Sequence, residues 1–383
     1  MKNKFILLCL SICWLCGQAF AQAKISPADI GGKAYLLMEA DSEIVLAQYR
    51  ATERLAPASI TKLMTAYVVY QSLAAGVIAL DDFAIISSNA RNMTEGSRMF
   101  LEKGSHVSID DLLSGLVIQS GNDAAVALAE AVAGDEARFV DIMNRQAKAL
   151  GMTNSHFKNV TGLTEDGHYM SARDIATLAR AIIKDFPKHY QRYSKKSFTW
   201  NNITQDNRNA LLYSDASVDG LKTGYTAAAG YCLTASAKRG DMRLISIVLG
   251  TDSVGARARA SKKLLAYGFD NYQMTTVYQP GQQIALAAVD NGEQDSVAVA
   301  SSVAITLPLP KTNSAQGLKA QLHLKQQLTA PLAANQVVGD IRLQRDDKIL
   351  VSAPAVTINA VEEIGFFSRL WRDLWAIISG WFA

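Results

Sequence analysis

The sequence predicts an α+β domain followed by a small all-β unit and a terminal amphipathic helix, and three patterns predict it. Strand pairs flank a long helical block between Ala34 and Gly250. Past Pro280-Gly281 the apolar period drops to two. From Glu362 to Ala383 the helical period returns as a tryptophan-rich apolar stripe.

The 383 residues are 49% hydrophobic and 19% charged, enough apolar material for one large domain and a smaller one. A formal charge of +3 with no basic run argues against a nucleic-acid partner. Lys2 and Lys4 precede the apolar run Phe5–Leu15, and Ala19-Phe20-Ala21 is a small-x-small cleavage site. Residues 1–21 therefore read as a secretory signal peptide. Ala21-Gln22-Ala23 fits one step further on, and a buried N-terminal helix is the competing reading. Bulky Trp14 and Leu15 disfavour lipidation at Cys16. Removal of 1–21 leaves a formal charge of +1 and Cys232 as the sole cysteine, which excludes an intrachain disulfide. In the apolar run "GYCLTASA" that thiol reads as buried. The five histidines have no metal-ligand spacing, and no nucleotide-binding glycine motif occurs, so neither metal nor cofactor is expected.

Residues 22–281 are read as one domain. "KAYLLMEADSEIVLAQ" predicts a hairpin turning at Ala40–Glu43. Helices are expected at Thr61–Ala75, Ile109–Leu116, Asp123–Ala133, Glu136–Leu150 and Ala172–Asp185. "YCLTASAKRGDMRLISIVLG" predicts two strands around a Lys238–Asp241 turn, and "SKKLLAYGFDNY" a closing helix. The first and last strands are expected to share a sheet. Residues 282–361 are read as a small β-sandwich-like unit. In it Leu318, Ala320, Leu322 and Leu324 alternate with polar residues, and "VGDIRLQRDDKILVSAP" predicts a hairpin turning at Asp346-Asp347. Nothing in this unit resembles a catalytic site, so a spacer or partner-binding role is expected.

In residues 362–383, Phe367, Leu370, Trp371, Leu374, Trp375, Ile378, Trp381 and Phe382 form one continuous stripe. Arg369, Arg372 and Asp373 argue against a membrane-spanning helix. Three of five tryptophans fall in the last 13 residues, which favours a helix lying in the membrane surface. A helix docked on the β unit is the competing reading.

The chemistry rests on three motifs. Ser59-x-x-Lys62 puts a hydroxyl and an amine one helical turn apart, although Ser59 also stands where a helix N-cap belongs. A Ser-x-x-Lys match arises by chance about once or twice in such a chain, and Ser155-His156-Phe157-Lys158 is a second one. Ser-x-Asn likewise occurs twice, at Ser87-Ser88-Asn89 and Ser120-Gly121-Asn122. Lys222-Thr223-Gly224 occurs once, against a chance expectation of about 0.1. Order discriminates, because Ser59-x-x-Lys62, Ser120-Gly121-Asn122 and Lys222-Thr223-Gly224 follow one another as in the serine acyl-transferases that react with penicillin. Ser59 needs a base, and Lys62 serves only when neutral, a condition that burial and a second cation at Lys222 favour. Ser120 is expected to bridge the two lysines as a proton relay, and Asn122 to orient Lys62 and substrate. Lys222 and Thr223 are expected to grip a carboxylate, while Gly224 lets the substrate backbone approach the strand. The amides of Ser59 and Tyr225 are candidates for the oxyanion hole.

With "PASITKLMT", "SGND" and "VDGLKTGYTAAAGY" in place, the chain resembles the low-molecular-mass penicillin-binding proteins, serine-type D-alanyl-D-alanine carboxypeptidases, over nearly its whole length. The resemblance implies a β-lactamase/transpeptidase-like first domain, a helical cluster plus antiparallel sheet. It implies release of the terminal D-alanine from peptidoglycan pentapeptide stems through an acyl-serine, and covalent capture of β-lactam antibiotics. It carries Ser59 over as nucleophile, Lys62 as base, Ser120 and Asn122 as second motif, and Lys222 as carboxylate ligand. It also implies a periplasmic enzyme, peripheral to the inner membrane through the C-terminal helix. "GLTEDGHYMSARD" is similar to the family's loop bordering the site, and "NRNALL" places Arg208 where the family has an arginine near the site. Tyr225 departs from the histidine common after Lys-Thr-Gly, which bears on deacylation and peptide preference. Three competing functions share these motifs or this wall context. A class A β-lactamase would need a deacylating glutamate in a Glu-x-x-Leu-Asn loop, and Glu130, Glu136 and Glu165 lie in no such pattern. A D,D-endopeptidase would run the same chemistry on crosslinks, and a catalytically silent scaffold would only bind the wall.

Overall fold

The computed structural model describes residues 25–312, 316–345 and 347–365. The expected signal peptide and the expected amphipathic helix from Phe366 onward lie outside the described residues. Five antiparallel strands form the main sheet, in the order Val45–Tyr49, Ala34–Glu39, Met242–Thr251, Gly230–Arg239, Val218–Thr226. The first and last strand pairs do share it, with Ala34 opposite Leu249 and Glu39 opposite Leu244.

Both faces of this sheet are covered. Leu36, Met38, Ile245 and Ile247 pack into the helical cluster, while Leu37, Leu244 and Val248 pack with Leu264 and Leu265 of the helix Val254–Asn271. Double coverage explains why "AYLLME" is buried at every position and shows no alternation. The hairpin turns where expected. There the buried Glu39 carboxylate accepts from the Ser42 amide at 2.8 Å and the Ser42 hydroxyl at 2.7 Å.

Amphipathic helices form at Glu136–Ala149 and Ala172–Asp185, capped by Asp135 and Ser171. The helix expected at Ile109–Leu116 divides into Ile109–Ser114 and a wider π-turn, Gly115–Gln119, which ends on Ser120 in the left-handed region at φ 67°. The helix Lys62–Ala74 runs through the core, buried continuously from Lys62 to Tyr70. A tight 3-10 turn, Ala58–Thr61, precedes it. Ser59 therefore does not cap the helix: it lies inside that turn, and Thr61 holds the N-cap position without its side chain capping the helix.

The strand Tyr272–Tyr278 follows directly on Val254–Asn271 and pairs with Ile305–Pro310. A six-stranded sheet then runs Lys319–Leu324, Val337–Arg345, Lys348–Thr357, Ser296–Ser301, Gln283–Asp290, Leu328–Thr329. Its core gathers Val299, Ile341, Leu343 and Ala355. Period two appears in Lys319–Leu324, where Lys319, Gln321 and His323 are exposed and the residues between them half-buried. The expected hairpin forms between Val337–Arg345 and Lys348–Thr357; Asp347 turns at φ 60°, and Asp346 lies outside the described residues.

Candidate active site

A cavity of about 490 Å³ opens between the helical cluster and the Val218–Thr226 strand. Ser59, Ser120, Asn122, Thr223, Gly224 and Tyr225 all line it. Lys62 and Lys222 lie buried at 1% and 3% exposure. Elements far apart in the chain thus bring the three motifs to one place.

Lys62 is the hub. Its side-chain nitrogen Nζ lies 3.0 Å from Ser59 Oγ, 2.6 Å from Asn122 Oδ1 and 2.7 Å from the Thr161 carbonyl. The Asn122 amide is oriented from its far side, since Nδ2 donates to the Glu95 carbonyl at 2.8 Å. Burial pushes Lys62 down to about 7, with the nearby Arg208 charge adding to the shift and Asp123 opposing it. A neutral amine has two N–H donors and one lone pair. Asn122 and Thr161 take both donors, so the lone pair is left facing Ser59 Oγ.

Lys222 sits opposite Thr234 in the sheet, and its Nζ donates to the Thr223 carbonyl at 3.1 Å. Burial, then the charges of Lys62, Arg208 and Arg257, hold it well below the usual lysine range. Ser120 makes no bridge between the two lysines. Its hydroxyl is buried and has no hydrogen-bond partner among the described residues, and the Lys62 nitrogen already has three oxygen partners. The left-handed backbone at Ser120 costs about 1–3 kcal/mol, a strain typical of functional positions.

Gly224 meets the protein itself at close range. A Cβ there would lie 3.0 Å from the Pro57 carbonyl and 3.2 Å from the Ser59 amide nitrogen. The glycine expected to admit the substrate backbone is thus already needed to seat the strand against the turn that carries Ser59. Tyr225 is 54% exposed, its ring 4.3 Å from that of Tyr231.

Several groups around the cavity carry no signature in the sequence. The Thr161 carbonyl is a backbone group and leaves no residue signal. Arg257 stands among exposed charges in "GARARASKK", yet its guanidinium donates to the Gly224 carbonyl at 3.1 Å, behind the Lys-Thr-Gly strand. Arg208 lines the cavity as well, and no Asp or Glu does among the described residues. Glu130 binds Ser87 and Asn89, Glu136 accepts from the Val160 amide, and Glu165 accepts from Asn159. The cavity therefore suits an anionic ligand and places no carboxylate beside Ser59 for deacylation.

The look-alike motifs resolve differently. Ser155 lies outside any helix and donates to Asp174 Oδ2 at 2.8 Å. Ser87 caps the short helix Ser88–Asn92. Cys232 is buried, its thiol pushed up to about 11.

A family profile described as D-alanyl-D-alanine carboxypeptidase matches residues 21–253, and one described as the penicillin-binding protein 5 C-terminal domain matches 272–363. The chain is 42% identical to D-alanyl-D-alanine carboxypeptidase DacC of Escherichia coli K12, over 94% of this chain and 92% of the relative. The solved structure of penicillin-binding protein 5 from Haemophilus influenzae, 39% identical, covers 88% of this chain and all of its own, with a TM-score of 0.79. Penicillin-binding protein D2 from Listeria monocytogenes in its ampicillin-bound form is 30% identical, covering 62% of this chain and 97% of its own at a TM-score of 0.57.

Proposed function

This chain belongs to the D-alanyl-D-alanine carboxypeptidase family, a serine-type hydrolase that trims peptidoglycan stem peptides, and we propose that Ser59 is its nucleophile and Lys62 its base. Neutral Lys62 takes the Ser59 proton as Oγ attacks the carbonyl joining the two terminal D-alanines. The Ser59 and Tyr225 amides receive the developing oxyanion. The proton now held by Lys62, whose third N–H is released from Ser59 Oγ on acylation, passes to the departing D-alanine amine through the Ser120 hydroxyl. That hydroxyl takes it up as it gives its own proton to the amine, and Asn122 keeps Lys62 and the substrate backbone aligned. Lys222 and Thr223 hold the terminal carboxylate, with Arg208 and Arg257 adding positive potential. Water then frees the acyl group. β-Lactams enter the same cycle and stop at the acyl-serine.

The observation that carries this reading is the Lys62 nitrogen, 3.0 Å from Ser59 Oγ with its two other hydrogen bonds already taken. D-Alanine release from a pentapeptide stem, run beside intact-mass detection of a penicillin adduct, tests it. Wild type is expected to show both and Ser59→Ala neither; release that survives in Ser59→Ala refutes it.

The same reading divides the chain into a signal peptide (1–21), catalytic domain (22–281), β unit (282–361) and anchor helix (362–383). The pairing of Tyr272–Tyr278 with Ile305–Pro310 makes that strand the joint between the two folded parts. The signal peptide supports export to the periplasm. The aromatic stripe from Phe367 to Phe382 supports a helix lying in the inner-membrane surface, and among the described residues no helix is long and apolar enough to cross a membrane. Deletion from Phe366 onward is expected to abolish co-sedimentation with lipid vesicles; unchanged sedimentation contradicts the anchor.

A further inference from the structure

The Thr161 carbonyl occupies one of the two N–H donors of neutral Lys62, so whatever holds that carbonyl also aims the lone pair at Ser59. Three side chains outside the cavity grip the segment. Thr65, on the same helix as Lys62, donates to the Val160 carbonyl at 2.8 Å, and Glu136 accepts from the Val160 amide at 3.1 Å. Asn159 does most. Its Oδ1 accepts from the Thr161 amide at 3.3 Å, the Thr161 hydroxyl at 3.2 Å and the Gly162 amide at 2.8 Å. Its Nδ2 donates to the Leu163 carbonyl at 3.1 Å and to Glu165 at 3.0 Å. This is an Asx-type turn closed on both sides, and it fixes the peptide plane whose oxygen meets Lys62. Gly162, at φ +86°, seats the loop against the Ala58 carbonyl with no room for a Cβ.

We infer that Asn159 is a positioning residue for acylation: through the Thr161 carbonyl it orients the Lys62 amine toward Ser59 without touching substrate. The inference rests on Lys62 being the base. Asn159 holds Thr161, Gly162 and Leu163 on the cavity wall by their backbone, whereas the proposed carboxylate-binding groups at Thr223, Arg208 and Arg257 are not built on it. Its loss therefore slows proton removal and leaves pre-acylation binding in place.

The experiment is the time course of acylation by benzylpenicillin, followed by intact mass over a concentration series that separates the acylation rate constant from the prior dissociation constant. Asn159→Ala is expected to lower the rate constant on the order of 10- to 100-fold with the dissociation constant unchanged. Asn159→Gln, which shifts both amide groups by one methylene, is expected to be slow as well and serves if the alanine variant folds poorly. The double variant Asn159→Asp with Glu165→Gln keeps the acceptor for Thr161 and Gly162 and restores the contact at 165, losing only the donor to the Leu163 carbonyl, so it is expected to be faster than Asn159→Ala. A wild-type rate constant in both single variants, a loss confined to the dissociation constant, or a double variant as slow as alanine would each overturn the proposal. Lys62→Ala separates the premise. If it acylates at the wild-type rate, the base assignment fails; if it is inactive while Asn159→Ala is normal, only the positioning role fails.

Discussion

In Ser59-Ile60-Thr61-Lys62 the hydroxyl and amine lie 3.0 Å apart, the lysine is buried, and its other two hydrogen bonds go to oxygens. In Ser155-His156-Phe157-Lys158 the hydroxyl goes instead to Asp174, and the lysine is exposed. The spacing is the same, but only the first pair has a helical turn to stack its members and a core to strip water from the lysine. Burial is what carries Lys62 to about 7, where a neutral amine is available. A lysine in solvent stays cationic at neutral pH and cannot act as base. Reactivity here is a property of the surroundings.

The two pairs offer a matched set of perturbations. Ser59→Ala should abolish D-alanine release, while Ser155→Ala should leave turnover within about twofold; equal loss in both would erase the distinction. Lys62→Ala should lower acylation by about 10²- to 10⁴-fold, and Lys158→Ala should change nothing, as read from penicillin adduct formation over time. Acidification should act through the first pair alone. With neutral Lys62 as the proposed base, the acylation rate should fall roughly tenfold per unit below about pH 7 and level off above it. A flat profile across that range would show that the base is not a buried lysine.

Smaller effects fall on stability. Gly162→Ala forces a Cβ into the Ala58–Thr61 turn at a positive φ and should cost roughly 2 kcal/mol or more in chemical unfolding. Gly167→Ala, whose Cβ meets only the flexible end of Lys158, should cost about 1 kcal/mol. His168 touches both regions, since its Nδ1 accepts from the Lys158 amide and its Nε2 therefore donates to the Thr61 hydroxyl. Burial holds it near 4, below its unfolded value of 6.5, so the unfolded chain binds the extra proton first. Stability should thus fall as pH drops from 6.5 to about 4, and a Tm that falls less over this window in His168→Gln would assign that loss to the histidine.

Legibility followed the same divide. Glu136–Ala149 and Ala172–Asp185 were readable because each has one buried and one solvated face, with Asp135 and Ser171 marking their starts. The 3-10 turn at Ala58–Thr61 and the π-turn before Ser120 were not, because packing against other elements sets them and local propensity does not. The motif letters pointed to residues that the fold gathers around one cavity. What they could not show is the part played by backbone, such as the Thr161 carbonyl on Lys62 or the Pro57 carbonyl against Gly224. Nor could they show that Ser120 leaves its hydroxyl unpartnered among the described residues instead of joining the two lysines.

Which serine is acylated decides the mechanism. Wild-type protein labelled with benzylpenicillin, digested and mapped by peptide mass, should carry the adduct on the peptide containing Ser59 and on no other. An adduct on Ser155, Ser120 or any further residue would contradict it.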